Sequence, residues 1–224
     1  MTQDLWAAVD RYITDLLVPV DEALEEAQRA SAAAGLPAIA VAPNQGKLLH
    51  LLARIQGARH ILEIGTLGGY STIWLARALP DGGRLVTLEV DAKHAAVARS
   101  NIARAGLTAV AEVRLGRALD TLPQLAAEGR APFDFIFIDA DKPSIPEYFG
   151  WALRMSRTGS VIVVDNVIRD GKVADAASDD PSVIGVRRFN AMLAAEPRVS
   201  ATTIQTVGSK GYDGLTVAMV VAGP

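Results

Sequence analysis

Between residues 57 and 221, short apolar runs alternate with amphipathic stretches, and this alternation restricts the chain to very few architectures. Strands are expected at His60–Ile64, Arg84–Val90, Ala111–Leu115, Phe133–Ile138 and Ser160–Val164. Helices are expected at Tyr70–Leu79, Ala92–Ala105, Ala118–Ala127, Pro146–Met155 and Val183–Ala195. A run such as Phe135-Ile136-Phe137-Ile138 is apolar throughout, the mark of a strand buried on both faces. Strands separated by helices imply a parallel, doubly wound α/β sheet with right-handed crossovers. Two final runs, Ser200–Val207 and Leu215–Val221, have no helix between them. Lys210-Gly211 and Asp213-Gly214 carry turn chemistry, so these runs should pair as a hairpin with one strand antiparallel to the rest.

The first fifty-odd residues read differently. Leu5, Val9, Tyr12, Ile13 and Leu16 fall near helical spacing after Asp4, and Pro19 breaks that segment. A second helix, Asp21–Ala34, ends at Gly35, and a turn at Pro43-Asn44-Gln45-Gly46 opens a third, Lys47–Gln56. We therefore expect a single domain over residues 1–224, with 1–56 a helical cap and 57–224 the α/β core. The polar, Asp-rich stretch Val167–Pro181 reads as a long lid or substrate loop.

Composition narrows the partners. Net charge is −3, with no basic excess of the kind a nucleic-acid footprint needs. There is no cysteine, hence no disulfide, thiolate nucleophile or sulfur-ligated metal, and a reducing cytoplasm is the natural setting. The start lacks a basic signal-peptide region. Apolar runs such as Leu215–Ala222 fall well short of the roughly 20 residues a membrane helix needs, so no membrane partner is expected.

Chemistry concentrates at strand ends, where open α/β sheets bind ligands. After the first strand comes Glu63-Ile64-Gly65-Thr66-Leu67-Gly68-Gly69-Tyr70-Ser71, the cofactor position of a Rossmann-like sheet. Leu67 stands where a dinucleotide fingerprint needs its second glycine, and Glu63 puts a negative charge beside the turn. Both features suit S-adenosylmethionine, which carries a sulfonium and an ammonium and no phosphate. Glu89, ending the second strand, can accept hydrogen bonds from ribose hydroxyls, and Gly116-Arg117-Ala118 makes a small-residue bend for an adenine edge. Singly, each of these features is ordinary turn chemistry; their order along the chain carries the reading.

Two further strands stop at carboxylates. Phe133–Ile138 runs into Asp139-Ala140-Asp141-Lys142, and Ser160–Val164 into Asp165-Asn166. Either aspartate alone reads as a helix cap or Asx turn. Together, Asp139, Asp165 and Asn166 offer oxygen donors for a hard divalent cation, with Mg²⁺ first and Ca²⁺ or Mn²⁺ feasible, and Lys142 stands beside them as a base. Asp141 either caps the following helix or contacts the cofactor's amino group.

With these residues in view, the sequence resembles the cation-dependent S-adenosylmethionine O-methyltransferases of the caffeoyl-CoA and catechol O-methyltransferase-like group. The markers are Glu63-Ile64-Gly65-Thr66 with Gly69-Tyr70-Ser71, Asp139-Ala140-Asp141-Lys142-Pro143, and Asp165-Asn166-Val167 with Gly171-Lys172-Val173. The resemblance implies a seven-stranded sheet with an antiparallel last strand, a homodimer, and metal ligation by Asp139, Asp165 and Asn166. It places the cofactor against Val41, Glu63, Gly65, Thr66, Ser71, Glu89, Ala118 and Asp141. It implies catalysis by Lys142 with Asp139 on a catechol-type or other phenolic small molecule. Arg169 stands where plant members use a polar substrate contact. The alternatives are an NAD(P)-dependent oxidoreductase on a similar sheet, a non-catalytic cofactor-binding protein, and a methyltransferase acting on RNA or protein.

Overall fold

Seven strands share one sheet in the computed structural model, which describes residues 2–223. They are β1 (His60–Ile64), β2 (Arg84–Glu89), β3 (Ala111–Leu115), β4 (Phe133–Ile138), β5 (Ser156–Asp165), β6 (Val199–Gly208) and β7 (Gly211–Val220). The helices are α1 (Gln3–Leu17), α2 (Glu22–Ala33), α3 (Pro43–Gln56), α4 (Tyr70–Ala76), α5 (Ala92–Arg104), α6 (Ala118–Ala127), α7 (Ile145–Arg154) and α8 (Pro181–Ala195). The spatial order of the strands is β3-β2-β1-β4-β5-β7-β6. β1 to β5 pair in parallel, and β7 runs antiparallel to both β5 and β6.

The chain steps outward from β1 to β3, then returns to lay β4 on the other side of β1. Connections leave β1 and β4 in opposite directions, so a crevice opens at their carboxyl ends. The period-two alternation of side chains sorts the core into two layers. Ile61, Phe135, Phe137 and Val163 pack against α2 to α5, through side chains such as Leu49, Ile73 and Ala98. Leu62, Ile136, Ile138 and Val164 pack against α6 to α8, through Leu125, Phe149 and Phe189. The last two rings meet edge to face at 5.2 Å, which ties α7 to α8. Each such fully buried side chain stabilises the fold by roughly 1.5–3 kcal/mol, so both faces hold the strand ends rigidly in place.

Several local expectations change. α3 begins at Pro43, four residues before the expected start at Lys47. Pro-Asn-Gln-Gly has turn composition, but proline is equally at home in the first helical turn, where its missing N–H is not needed. Gln45 therefore projects from a helix. Gly46 falls inside that helix, where a Cβ would lie 2.4 Å from the Trp74 ring, so the position needs a glycine. Asp213-Gly214 is not a turn: the hairpin reverses at Ser209-Lys210, and both residues belong to β7. A Cβ on Gly214 would meet the Ile204 carbonyl oxygen at 2.3 Å, so this glycine serves close strand approach. Asp213 accepts the backbone N–H of Ile168 and Arg169 at 2.9 and 3.0 Å. Val167 and Ile168 are both buried, so the first part of the 167–181 stretch is packed against the fold.

Candidate active site

The turn after β1 is shaped by contact with β4. Gly65 adopts φ +102°, and a Cβ on it would sit 2.1 Å from the Asp139 carbonyl oxygen. Only glycine permits that approach. Leu67, where a second glycine was missing, takes a left-handed φ of 49°. Its N–H and that of Thr66 both donate to Glu89 Oε2, at 2.8 and 3.3 Å. The other oxygen of Glu89 accepts from the N–H groups of Val90 and Asp91, each at 2.9 Å. The amides that would cradle a pyrophosphate are thus already committed to a carboxylate, which argues against the dinucleotide alternative.

Glu63 stands behind this turn. It is fully buried, accepting the Ser71 hydroxyl at 2.6 Å and the Thr72 hydroxyl at 2.5 Å. Burial pushes its carboxyl up to about 7, and the hydroxyl bonds offset only part of that cost. Ser71 lines the cleft, while Glu63 itself does not. Thr72 was missed in the sequence because a threonine inside a helix carries no distinguishing local signal.

At the sheet's centre, Ile138 pairs with Val164, so the next residues, Asp139 and Asp165, leave neighbouring strand ends side by side. Lys142 Nζ donates to Asp139 Oδ1 at 2.7 Å from a short 3-10 turn over Lys142–Ser144. Asp165 is buried and accepts from Gln45 Nε2 at 2.6 Å and from the Asn166 N–H at 2.8 Å. Burial first, and then the charge of Asp139, push the Asp165 carboxyl well above the usual carboxylate range. Asn166 turns away from the strand in a left-handed conformation, φ 57°. Gln45 was missed because its segment read as a turn. The proline that misled that reading is also the signal that could have placed it on a helix.

Asp139, Asp165 and Asn166 fit a hard cation by donor chemistry: two acidic oxygen donors and one amide, with Lys142 the charge partner in contact with Asp139. Among the described residues no group of three His, Cys, Asp or Glu side chains is placed to hold a metal, so any cation here depends on the amide of Asn166 as well as the two acids.

A cleft of about 760 Å³ opens over these strand ends. Among its walls are Val41, Gly65, Thr66, Ser71, Glu89, Ala118, Asp139, Asp141, Lys142 and Asn166. Of the candidate metal, cofactor and catalytic residues, Glu63 and Asp165 lie outside that wall. Asp165 instead lines a neighbouring cavity of about 550 Å³, which shares Val41, Asp139, Asn166 and Arg169 with the cleft. Asp141 accepts the Tyr148 hydroxyl, a partner no sequence pattern announced, and makes no capping hydrogen bond. Both cavities are of the size that small-molecule sites occupy, and the paired aspartates stand at their junction.

An O-methyltransferase family model matches residues 17–220. A catechol O-methyltransferase of Niastella koreensis is 60% identical over 220 residues, covering 98% of this chain and all of that protein. The crystal structure of an O-methyltransferase from Bacillus cereus in complex with SAH superposes with a TM-score of 0.97 at 62% identity, covering 98% of this chain and 100% of that one. The O-methyltransferase TomG from Streptomyces achromogenes, solved with SAM, gives 0.96 at 57% identity, covering 99% and 100%. The chain belongs to the O-methyltransferase family.

Proposed function

We propose that this enzyme moves a methyl group from S-adenosylmethionine to one hydroxyl of a catechol-type phenol with the help of a divalent cation, Mg²⁺ first. The observation that carries the reading is the pairing of Asp139 with the buried Asp165 on adjacent strand ends, with Lys142 on the first of them. The two acids on adjacent strand ends share the single charge of Lys142, and the Asp165 carboxyl is still pushed up, so a divalent cation beside them would relieve that cost. The names of the Niastella and Bacillus proteins support the substrate class and the methyl donor.

The larger cleft would take the methyl donor. Thr66 and the carboxylate of Glu89 face its ribose end and Ala118 its adenine end. Ser71, backed by Glu63, and Asp141 face its amino-acid end. Asp139, Asp165 and Asn166 would hold the cation, which when bound supplies Lewis-acid polarisation of the phenol oxygens. Lys142, once it has given its own proton to solvent and stands as the neutral amine, takes the proton of the attacked hydroxyl. The oxygen lone pair then forms the bond to the methyl carbon as the carbon–sulfur bond breaks. The products are a methyl ether and S-adenosylhomocysteine. Holding the reacting atoms in line can supply ~7–11 kcal/mol of the barrier reduction, so rigid strand ends matter as much as the base.

Exposed apolar residues on α1 (Leu5, Val9, Tyr12, Leu16) and on the edge strand β6 (Ile204, Val207) support a homodimer that covers this side. No helix of the described residues is long and apolar enough to cross a membrane, and the lack of cysteine supports a cytoplasmic setting. We take residues 1–56 as the cap of a single catalytic unit. Labelled methyl transfer to a catechol, run with Mg²⁺ and after EDTA treatment, tests the reading. Transfer should vanish with EDTA and return with added Mg²⁺, and full activity in EDTA would remove the cation from the mechanism.

A further inference from the structure

We propose that Arg169 selects catechols that carry an anionic substituent, a carboxylate on the ring or on a short side chain. This rests on the catechol reading above and adds to it the charge of the rest of the substrate.

Arg169 follows Asn166, a ligand in the proposed cation site, by three residues and lines both cavities. Its backbone is fixed in the left-handed region at φ 55°, with its N–H held on Asp213 Oδ1. The side chain is only 32% exposed. Yet among the described residues its guanidinium makes no hydrogen bond, and Nε is buried without a partner. Asp213 Oδ2 stands 3.6 Å from Nη1, an ion pair without a hydrogen bond. Other half-buried arginines here are engaged: Arg77 on Asp21, Arg99 on the Val113 carbonyl, Arg187 on the Val173 carbonyl.

Four of the five acids around the smaller cavity show the opposite condition. Asp10 accepts from Asn44 Nδ2 and the Ser209 N–H. Asp165 accepts from Gln45, and Asp139 from Lys142. Asp213 Oδ1 accepts three backbone N–H groups, from Ile168, Arg169 and Gly214. Among the described residues four of the five acids on this wall are thus engaged by donors and Asp170 alone accepts no hydrogen bond, while the guanidinium donors of Arg169 make none. A partly buried guanidinium without hydrogen bonds is costly to leave so, and its planar fork matches a carboxylate with two parallel bonds. A phenol whose hydroxyls lie at Asp139 and Asn166 would extend its remaining substituent along the cavity that Arg169 also walls.

The test compares kcat/KM for protocatechuate, its methyl ester and dopamine, with hydrocaffeate as the side-chain acid. Wild type should favour at least one acid over the ester by roughly tenfold to a hundredfold, the range of one charge-assisted hydrogen bond, with dopamine poorest. Arg169→Gln should bring the acid-to-ester ratio to about one, and Arg169→Lys should hold it between, since lysine keeps the charge and loses the fork. The ratio reads substrate charge whatever the variant loses overall. Which acid responds tells ring carboxylate from side-chain carboxylate. Methylation of the ester and both acids with equal efficiency in wild type, or an acid preference that survives in Arg169→Gln, overturns the inference while leaving the catechol reading intact. Absence of methyl transfer to all four compounds overturns both.

Discussion

The two ends of the central strands carry buried acids of opposite character. At the amino end, Asp134 of β4 accepts the N–H groups of Arg59 and His60 at 2.8 and 2.9 Å, and Arg157 donates to its other oxygen at 2.5 Å. Burial would raise its carboxyl, but these amides and the guanidinium outweigh it and hold the group below the usual range. At the carboxyl end, Asp165 is as deeply buried, yet one amide side chain, one backbone N–H and a facing aspartate leave its carboxyl pushed upward. Glu63 at the end of β1 is pushed upward too, with hydroxyls for its only partners. One end is a finished ion-pair network that the protein completes by itself. At the other, Asp165 and Glu63 have no charged hydrogen-bond donor among the described residues, a deficit that a cation and a cationic methyl donor would fill. The same residue type completes an ion-pair network at one end and is left with a raised carboxyl at the other.

Lys142→Ala gives the largest expected effect. Removing the base should lower kcat by ~10²–10⁴-fold in the presence of Mg²⁺, with folding cooperativity retained in a urea melt. Unchanged turnover would remove Lys142 from the chemistry. Next comes Glu63→Gln in the ligand-free protein. A carboxyl whose folded value of about 7 exceeds the unfolded value of 4.5 binds its proton more tightly in the folded state. Its stabilising share is complete below 4.5 and is lost as the pH rises through 7. The glutamine variant should therefore be more stable than wild type at pH 8, by up to roughly 3 kcal/mol, and the gap should close toward acid pH. Denaturant midpoints across the pH range measure this, and S-adenosylhomocysteine should abolish the gap by supplying an ammonium near Ser71.

Asp134→Asn should show the reverse slope with a smaller amplitude. A lowered carboxyl contributes stability above its unfolded value of 3.8 and loses it on acidification. The variant should lose about 1–3 kcal/mol at neutral pH, the cost of weakening bonds to a buried charged acceptor, since the exposed Arg157 adds little. Its kcat/KM should match that of wild type. If both variants shifted stability in the same direction, the contrast between the two strand ends would collapse.

Much of this was legible without coordinates. β1, β3, β4 and α6 have the bounds that apolar runs and capping signals predict, because strand burial and helix periodicity are written locally. The strand-end acids Glu63, Glu89, Asp139 and Asp165 could also be picked out as a set. What was hidden depends on residues distant in the chain. Gln45 reaches Asp165 across 120 positions, and Tyr148 reaches Asp141 over a 3-10 turn and the start of a helix. Pro43 opens α3 although its neighbours spell a turn, since one dipeptide chemistry serves both.

The order of elements, the oxygen-donor types and the broken glycine pattern were determined by the sequence alone, because each is a property of neighbouring residues. That β4 lies between β1 and β5, so that Asp139 faces Asp165, was decided by the sheet order. Packing alone set Glu63 behind the cleft wall and left the guanidinium of Arg169 without hydrogen bonds. Burial and partner choice are properties of the surrounding fold, and the shifted carboxyls of Glu63 and Asp165 arise only there.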